Sequence, residues 1–230
     1  MRGIFVTGTD TGIGKTIVTG LLAKFLGGEG YKVITQKWVE TGSAGFSKDV
    51  SLHLKLMDKK KQELRGRRFD VSPYTFKFPS SPHLASSLEK RKISIERIKK
   101  SFKSLQKAFD FVVVEGVGGA LVPLTKNKLV IDIAKKLNLS VLVVVGNKLG
   151  AINHTLLTIE ALKTRKMKIA GVVFNNLKSK GNDIILKDNP KIIEAISGQK
   201  SLGSLPWTKD KNILHKNFKK IGKKILFNLK

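Results

Sequence analysis

The sequence reads GTDTGIGKT from Gly8 to Thr16, a stretch with three glycines in nine residues. An apolar run precedes it, and a helical pattern follows from Ile17 to Leu26. A glycine-rich turn of this kind, placed between a strand and a helix, is typical of loops whose backbone N–H groups bind phosphate. Lys15 would reach the β- and γ-phosphates of a nucleotide, and the Thr16 hydroxyl would bind Mg²⁺. The alternative is an ordinary glycine-rich turn.

The loop is one residue longer than the usual phosphate-binding loop, because Thr9 stands where the first glycine is expected and Gly8 lies one step earlier. In this longer form, FVTGTDTGIGKT resembles the loop of the dethiobiotin synthetase family. That family is a branch of P-loop proteins that also includes partition ATPases and cobyrinic acid amidating enzymes. In the partition ATPases a second lysine stands at the position of Asp10, so its absence favours the synthetases.

Apolar, β-branched runs alternate with amphipathic segments along the chain. The strand-like runs are GIFVTG, KVITQK, DFVVVEG, VLVVVG and KIAGVVFNN, and helical patterns such as Ile93 to Ala108 lie between them. This alternation predicts an α/β fold with a largely parallel sheet and helices on both faces, here a single-domain P-loop NTPase fold. No Pro/Gly/Ser-rich linker divides the chain, so we predict one domain over residues 1–230. Two stretches that break the alternation, Lys59 to Arg68 and Ser72 to His83, are predicted to be loops.

The composition narrows the classes of function. The chain has no cysteine, which removes thiolate catalysis and cysteine-ligated metals. Its four histidines form no metal-ligand spacing. No stretch approaches the ~20 apolar residues of a membrane helix, and the first residues do not resemble a signal peptide. We therefore expect a cytoplasmic protein with no membrane partner.

Further motifs extend the resemblance from about Ile4 to Trp207. They are QKWVETGS, SPYTF, SSPH, VVVEGVGG, VVVGNKLGAINHTLLT, GVVFNN and LPW. The resemblance implies catalytic roles for Lys15, Lys37 and Thr11. Lys37 ends the second strand, where a βαβ fold places ligands, although a surface lysine is the alternative.

The candidate magnesium ligands are Thr16, Asp49 and Glu115. Glu115 closes an apolar strand just before a glycine-rich turn, where an isolated acid has no packing role. Asp49 could equally be the N-cap of the next helix. Oxygen ligands of this kind suit Mg²⁺, which the resemblance implies as the cofactor, with ATP as co-substrate.

The resemblance also implies the residues that bind the nucleotide and the substrate. The nucleotide-binding residues would be Gly12, Ile13, Gly14, Lys15, Thr16, Ile17, Glu115, Gly118, Asn175, Pro206 and Trp207. The substrate-binding residues would be Thr41, Gly118, Gly119, Gly150, Ala151, Ile152 and Asn153. The last four would act in the other subunit's site, which implies a homodimer. From the residues alone, Thr41 and Asn175 could be plain turn residues, and Gly118 and Gly119 a tight turn.

One position departs from the family pattern. Many members have an acidic residue in the phosphate loop where this chain has Gly12. The preference among nucleoside triphosphates therefore stays open.

The implied reaction closes the ureido ring of dethiobiotin from 7,8-diaminononanoate, CO₂ and MgATP. The net charge of +27, from 44 basic and 17 acidic residues, raises the alternative of a P-loop ATPase that binds DNA. The C-terminal lysines instead fit a docked helix with a solvated face, because Phe218, Ile221, Ile225 and Leu229 recur at helical spacing. Nucleic acid is thus not the expected partner. Cobyrinic or cobyric acid amidation would need a catalytic cysteine, which the chain lacks.

Overall fold

A computed structural model describes residues 2–64, 66–178 and 183–229. The strands are β1 (Arg2–Gly8), β2 (Val33–Lys37), β3 (Val39–Glu40), β4 (Tyr74–Thr75), β5 (Phe111–Glu115), β6 (Pro123–Thr125), β7 (Lys128–Leu129), β8 (Ser140–Asn147), β9 (Ile169–Asn176) and β10 (Ser201–Leu205). The helices are α1 (Lys15–Gly28), α2 (Lys48–Leu56), α3 (Arg68–Val71), α4 (Pro82–Leu88), α5 (Ile95–Gln106), α6 (Val130–Lys136), α7 (Ala151–Thr164), α8 (Asp183–Ser197) and α9 (Lys211–Leu229).

The central sheet has six strands in the order β10-β9-β8-β1-β5-β2. All of its strand pairs are parallel, and β1 lies between β5 and β8. The carboxyl ends of all six strands therefore lie at one edge of the sheet. This confirms the predicted α/β fold with a parallel sheet. The assignment of residues 1–230 to one domain stays a prediction.

Both faces of the sheet are buried under helices. Side chains alternate between the two faces along each strand, so each strand contributes to two hydrophobic clusters. On β1, Ile4 and Val6 pack in the cluster that contains α1 and α9. Phe5 points to the other face, where it stacks on Trp38 with ring centroids 5.3 Å apart and joins the cluster that contains α5, α6 and α7. Burial on both faces explains why the strands read as continuous apolar runs.

Helix α9 docks on the sheet and on α1 by its apolar stripe. Phe218, Ile221 and Ile225 are fully buried, as the spacing predicted, and Leu229 is half-buried. At Gly222 a Cβ atom would lie 2.5 Å from Cγ of Phe25, so only glycine allows this close approach of α9 to α1. The lysines of α9 at positions 219, 220, 223 and 224 are exposed.

The two predicted loops contain short regular elements that the sequence patterns did not indicate. Lys61–Leu64 forms a 3₁₀ helix that buries Leu64, and Arg68 begins α3. Within the second stretch, β4 pairs with β3 in parallel, and Pro82 begins α4. No helix among the described residues combines the length and apolarity needed to cross a membrane.

Candidate active site

A cleft of about 280 Å³ opens at the carboxyl edge of the sheet, above β1, β2 and β5. It is lined by Thr11, Gly12, Gly14, Lys15, Thr16, Lys37, Glu40, Thr41, Asp49, Glu115, Val117 and Gly118. Eleven of these twelve residues come from the three segments that follow β1, β2 and β5 or from the ends of those strands, and Asp49 comes from α2. The topology thus brings together residues that lie far apart in the sequence.

The loop after β1 needs glycine at two positions. Gly14 has φ +94°, a left-handed conformation, and a Cβ atom there would lie 2.2 Å from Nδ2 of Asn175. Asn175 itself donates from Nδ2 to the backbone oxygen of Ile13 at 2.9 Å, so β9 holds the loop at its turn into α1. At Gly8, a Cβ atom would lie 2.6 Å from Cδ1 of Ile13. The loop therefore packs tightly at both ends.

Lys15 lies in the first turn of α1 and points back across the loop. Its Nζ donates to the backbone oxygen of Asp10 at 2.6 Å. Burial and, after it, the positive charge of Lys37 lower the pKa of Lys15 from 10.5 to about 8, although Glu115, Asp49 and Asp10 act in the opposite direction. A phosphate in the loop would place a further negative charge beside this lysine and favour its protonated form.

Lys37 forms the centre of a buried ionic network. Its Nζ lies 2.8 Å from Oε1 of Glu115 and 2.7 Å from Oδ2 of Asp49, and it also donates to the backbone oxygen of Gly116 at 2.8 Å. Its side chain is 5% exposed and that of Glu115 only 2%. Burial would lower the pKa of Lys37, but the two carboxylates outweigh it and raise that pKa. Lys37 is therefore a fixed cation at the end of β2.

Glu115 is held ionised by the same network. Burial would raise the pKa of its carboxyl group, but the charge of Lys37 and the hydrogen bond from His53 outweigh burial and lower the pKa to about 2. A carboxylate that stays charged inside the protein is available to a cation in the cleft.

Three oxygen-bearing side chains converge in the cleft. Thr16 Oγ1 lies 3.2 Å from Oδ1 of Asp49 and 3.0 Å from Oε1 of Glu115. Within the described ranges, no group of three or more histidine, cysteine, aspartate or glutamate side chains could hold a metal ion. A hydroxyl and two carboxylates nevertheless fit Mg²⁺, which prefers oxygen and completes its shell with water and phosphate. The predicted magnesium residues are thus brought together.

Asp49 is not an N-cap, contrary to the alternative that the sequence left open. It lies inside the first turn of α2, and Ser47 caps the helix by accepting a hydrogen bond from Val50 N. Asp49 is free to face Lys37 because Ser47 performs the capping.

Glu40 is a residue of the site that the sequence analysis missed. Its buried carboxylate accepts hydrogen bonds from the Ser47 hydroxyl and from the backbone N–H of Lys48, the latter at 2.9 Å. The backbone N–H of Asp49 also donates to it at 3.3 Å. Glu40 thereby fastens the start of α2 to the end of β3. The signal for it was an acid directly before the Thr-Gly pair of ETGS.

His53 is the second missed residue. Its ring is fully buried, and Nε2 lies 2.8 Å from Oε2 of Glu115. The four histidines have no metal-ligand spacing in the sequence, so none was predicted as a site residue. The available signal was the separation of four positions from Asp49, which places both side chains on one face of a helix.

The glycine turn after β5 approaches the phosphate loop closely. Gly118 has φ +59° and lines the cleft, and a Cβ atom on Gly119 would lie 3.4 Å from the backbone oxygen of Gly8. Thr11 and Thr41 line the same cleft. Of the residues predicted in these segments, Thr11, Thr41 and Gly118 therefore share one cavity, and Gly119 directly follows Gly118 in the chain.

The remaining predicted residues lie outside that cavity. Gly150, Ala151, Ile152 and Asn153 form the start of α7, and Gly150 adopts φ +83° as its N-cap. Pro206 and Trp207 follow β10, and Trp207 is 46% exposed. Ile13 is buried under the loop, and Ile17 is half-buried on α1. The structure does not bring Gly150–Asn153 to the cleft of their own chain.

Comparison with known proteins gives a family. The family described as AAA domain matches residues 2–212. An ATP-dependent dethiobiotin synthetase of Chlorobaculum tepidum is 40% identical over 210 residues, which cover 90% of this chain and 86% of that protein. A second relative of the same name, from Haemophilus influenzae, is 39% identical over 83% of this chain and 98% of its own length.

Two proteins of known structure have a similar fold. The MinD cell division protein of Aquifex aeolicus aligns with a TM-score of 0.60 and 14% identity, covering 99% of this chain and 97% of its own. A ParA protein solved with nonspecific DNA aligns with a TM-score of 0.57 and 15% identity, covering 99% and 98%. These two likenesses show the fold alone. The curated relatives carry the assignment further, and the chain belongs to the ATP-dependent dethiobiotin synthetase family.

Proposed function

We propose that the protein is an ATP-dependent dethiobiotin synthetase. It would close the ureido ring of dethiobiotin from 7,8-diaminononanoate and CO₂, and release ADP and phosphate. The observation that carries this proposal is the cleft in which Lys15, Lys37 and the Thr16–Asp49–Glu115 oxygens meet, together with membership of the family.

The reaction needs activation of a weak electrophile. One amine of the substrate captures CO₂ as a carbamate, whose carbon resists attack because its negative charge is delocalised. A carbamate oxygen attacks the γ-phosphorus of ATP, the bond from that phosphorus to the bridging oxygen breaks, and ADP leaves. The second amine then attacks the carbonyl carbon of this carbamic–phosphoric anhydride, loses its proton, and expels phosphate as the ring closes.

The chain contributes charge and position rather than a nucleophile. An anionic carbamate must approach an anionic triphosphate, and Lys15 and Lys37, which both line the cleft, would offset their repulsion. Cationic clamps of this kind stabilise transferring phosphoryl groups because they are fixed before the reaction. Thr11 lines the same cavity as the third proposed catalytic residue. Thr16, Asp49 and Glu115 would hold Mg²⁺, which supplies charge neutralisation on the phosphates.

The substrate would lie between the phosphate loop and the segments after β3 and β5. Thr41 and Gly118 line the cleft there, and the backbone N–H groups of Gly118 and Gly119 are proposed to bind the substrate or a phosphate. Gly150–Asn153 of one subunit are proposed to bind the tail carboxylate in the other subunit's site. The neighbouring Leu149 side chain is 81% exposed, which supports burial of this segment in a homodimer.

The base of ATP would lie on the β9 side of the loop. Asn175 contacts the backbone of Ile13 and is proposed to bind the adenine edge, with Pro206 and Trp207 closing over the ring. An exposed tryptophan is suited to stacking on a base. Gly12, Ile13, Gly14 and Ile17 would complete the nucleotide site.

The direct test is product formation. Purified protein is incubated with 7,8-diaminononanoate, bicarbonate and MgATP, and dethiobiotin is followed by mass together with released phosphate. Product that requires all three substrates supports the proposal. ATP hydrolysis that yields no product and is stimulated by DNA would instead indicate the DNA-binding alternative, and that binding should weaken steeply with salt. The proposed compartment is the cytoplasm, where ATP is available.

Replacing Gly14 by alanine is expected to lower the affinity for ATP by at least about tenfold. The new Cβ atom would lie 2.2 Å from Nδ2 of Asn175, so the loop or the asparagine must move. The matched control is Gly12→Ala, because Gly12 also has positive φ, at +68°, but a Cβ atom there meets nothing within 4 Å. The expected cost of Gly12→Ala is only the strain of an alanine in the left-handed conformation, about 1 kcal/mol. Titration with a fluorescent ATP analogue measures the affinity of both variants for the nucleotide. Equal affinities of Gly14→Ala and Gly12→Ala would contradict the proposed role of the Gly14–Asn175 contact.

A further inference from the structure

His53 lies beside the cleft without lining it. It is on α2, four residues after Asp49, and its fully buried ring contacts Glu115 at the end of β5. The packing against α1 is close, since a Cβ atom on Gly20 would lie 3.3 Å from Cα of His53. A fully buried polar ring next to an ionised carboxylate calls for a role other than filling space.

The two oxygens of Glu115 have different neighbours. Oε1 accepts from Lys37 Nζ at 2.8 Å and from Thr16 Oγ1 at 3.0 Å. Oε2 accepts from His53 Nε2 at 2.8 Å. Oε1 thus shares the side of the carboxylate occupied by the cleft residues, while Oε2 is turned toward α2.

Two of these three donors have other tasks in the proposed reaction. Thr16 is a proposed magnesium ligand, and Lys37 is proposed to contact the reacting anions. When ligands engage them, their hydrogen bonds to Oε1 are the ones that must weaken. Among the described side chains that donate to Glu115, His53 is the one that can keep its bond throughout.

The surroundings of the two ring nitrogens indicate which tautomer His53 adopts. Nδ1 of His53 is buried and has no hydrogen-bond partner among the described residues. Protonation at Nε2 gives the carboxylate its donor and leaves only a lone pair buried at Nδ1. Protonation at Nδ1 would bury an unpaired N–H group and place a second acceptor against Oε2, which costs more.

We propose that His53 is a positioning residue that holds Oε2 of Glu115, so that Oε1 stays directed into the cleft to bind Mg²⁺. This inference rests on the proposed function in one respect, namely that Glu115 is a magnesium carboxylate. Without the hydrogen bond from His53, the carboxylate would lose its fixed rotamer when Thr16 and Lys37 turn to the ligands. Residues that orient a metal ligand in this way commonly change metal affinity by about 10-fold to 100-fold.

The test is the Mg²⁺ dependence of nucleotide binding in three variants. A non-hydrolysable ATP analogue is titrated at increasing Mg²⁺, and the half-saturating Mg²⁺ concentration is read. His53→Leu removes the donor, and we expect that concentration to rise by about tenfold or more. His53→Gln can place an amide N–H near the position of Nε2 and should restore most of the affinity. His53→Asn is too short to reach Oε2 and should behave like the leucine variant.

The outcomes separate positioning from packing. A packing role would lower the melting temperature of the variants and leave the Mg²⁺ dependence unchanged, which would overturn the proposal. If the leucine variant does not fold, the glutamine and asparagine variants still decide, because equal Mg²⁺ dependence in those two contradicts a role for the donor. ¹⁵N NMR of the wild-type histidines gives an independent reading: a proton on Nε2 of His53 is expected, and a proton on Nδ1 alone refutes the proposal.

The same experiment distinguishes failure of the proposed function. Nucleotide binding requires no 7,8-diaminononanoate and no turnover. A protein that makes no dethiobiotin, but whose Mg²⁺ dependence shifts in His53→Leu and recovers in His53→Gln, would refute the synthetase proposal and leave the role of His53 standing.

Discussion

Replacing Lys37 by methionine is expected to lower the rate of dethiobiotin formation by at least about a hundredfold, the usual scale for losing one fixed donor to a transition-state charge. Methionine keeps the length and most of the volume of the side chain but removes the ammonium group. Product is followed by mass at saturating substrates. The matched control is Lys24→Met, since Lys24 is a lysine of α1 whose partner, Asp58, is a half-exposed carboxylate 2.8 Å away. Turnover near the wild-type rate in Lys37→Met would refute the catalytic assignment.

The same variant is also expected to be less stable, which the sequence did not indicate. Lys37 neutralises Glu115 and Asp49, and removal of one partner from a buried network leaves its counter-charge unpaired. The expected loss is on the order of 3 kcal/mol of unfolding free energy without Mg²⁺. Mg²⁺ with nucleotide should restore part of it, because the metal supplies positive charge to the same carboxylates. Urea denaturation with and without MgATP measures this difference.

Replacing Glu115 by glutamine is expected to reduce turnover by about a hundredfold or more, since the effect of losing a metal ligand exceeds that of losing its supporting residue. Lys37 keeps its pairing with Asp49 at 2.7 Å, so the fold should persist at neutral pH. The half-saturating Mg²⁺ concentration for nucleotide binding should rise in parallel. A variant with normal turnover and normal Mg²⁺ dependence would exclude Glu115 from the magnesium site.

Glu115→Gln should also change the acid stability of the protein. The pKa of Glu115 lies near 2 in the folded protein, against 4.5 as its ordinary value. Its ionised form therefore stabilises the fold above pH 4.5, and this contribution, on the order of 3 kcal/mol, is lost as the pH falls toward 2. The variant should lack that part of the acid dependence in denaturation measured between these two pH values.

Asp58→Asn is the matched control for this acid effect. The hydrogen bonds from Lys211 and Lys24 lower the pKa of Asp58 to about 2 as well. Its side chain is 46% exposed, however, so solvent and salt screen those interactions. A loss of acid stability as large in Asp58→Asn as in Glu115→Gln would contradict the burial argument.

The sequence predicted the parts of the site that follow from strand order. Lys37 and Glu115 each end an apolar run, and a parallel sheet brings such ends to one edge. The phosphate loop is one contiguous stretch of sequence, so the roles of Lys15 and Thr16 could be predicted from a few neighbouring residues. For these residues, a local pattern and a general rule of topology were sufficient.

The helix that carries Asp49 could not be resolved by local rules. Ser47 and Asp49 are both good capping residues, and local sequence does not distinguish between them. The structure shows Ser47 as the cap and Asp49 paired with Lys37 from another element. His53 was missed for the same reason, because its importance lies in Glu115, which is 62 positions away. The short strands β3 and β4 were missed since two-residue pairs carry no periodicity to detect.

The central position of β1 has a consequence for how the chain folds. Strand β1 pairs with β5 and β8, which both lie far along the chain, and Ile4 lies opposite Val113 and Ser140. Long loops must close before either pairing forms, which makes folding slow relative to a helical bundle of similar size. The phosphate loop directly follows this strand, and its neighbours in the cleft lie at the ends of β2 and β5. The loop therefore meets these neighbours only once the strands have paired. A chain whose sheet is not yet assembled therefore has no site for ATP, and the nucleotide can stabilise only the assembled sheet.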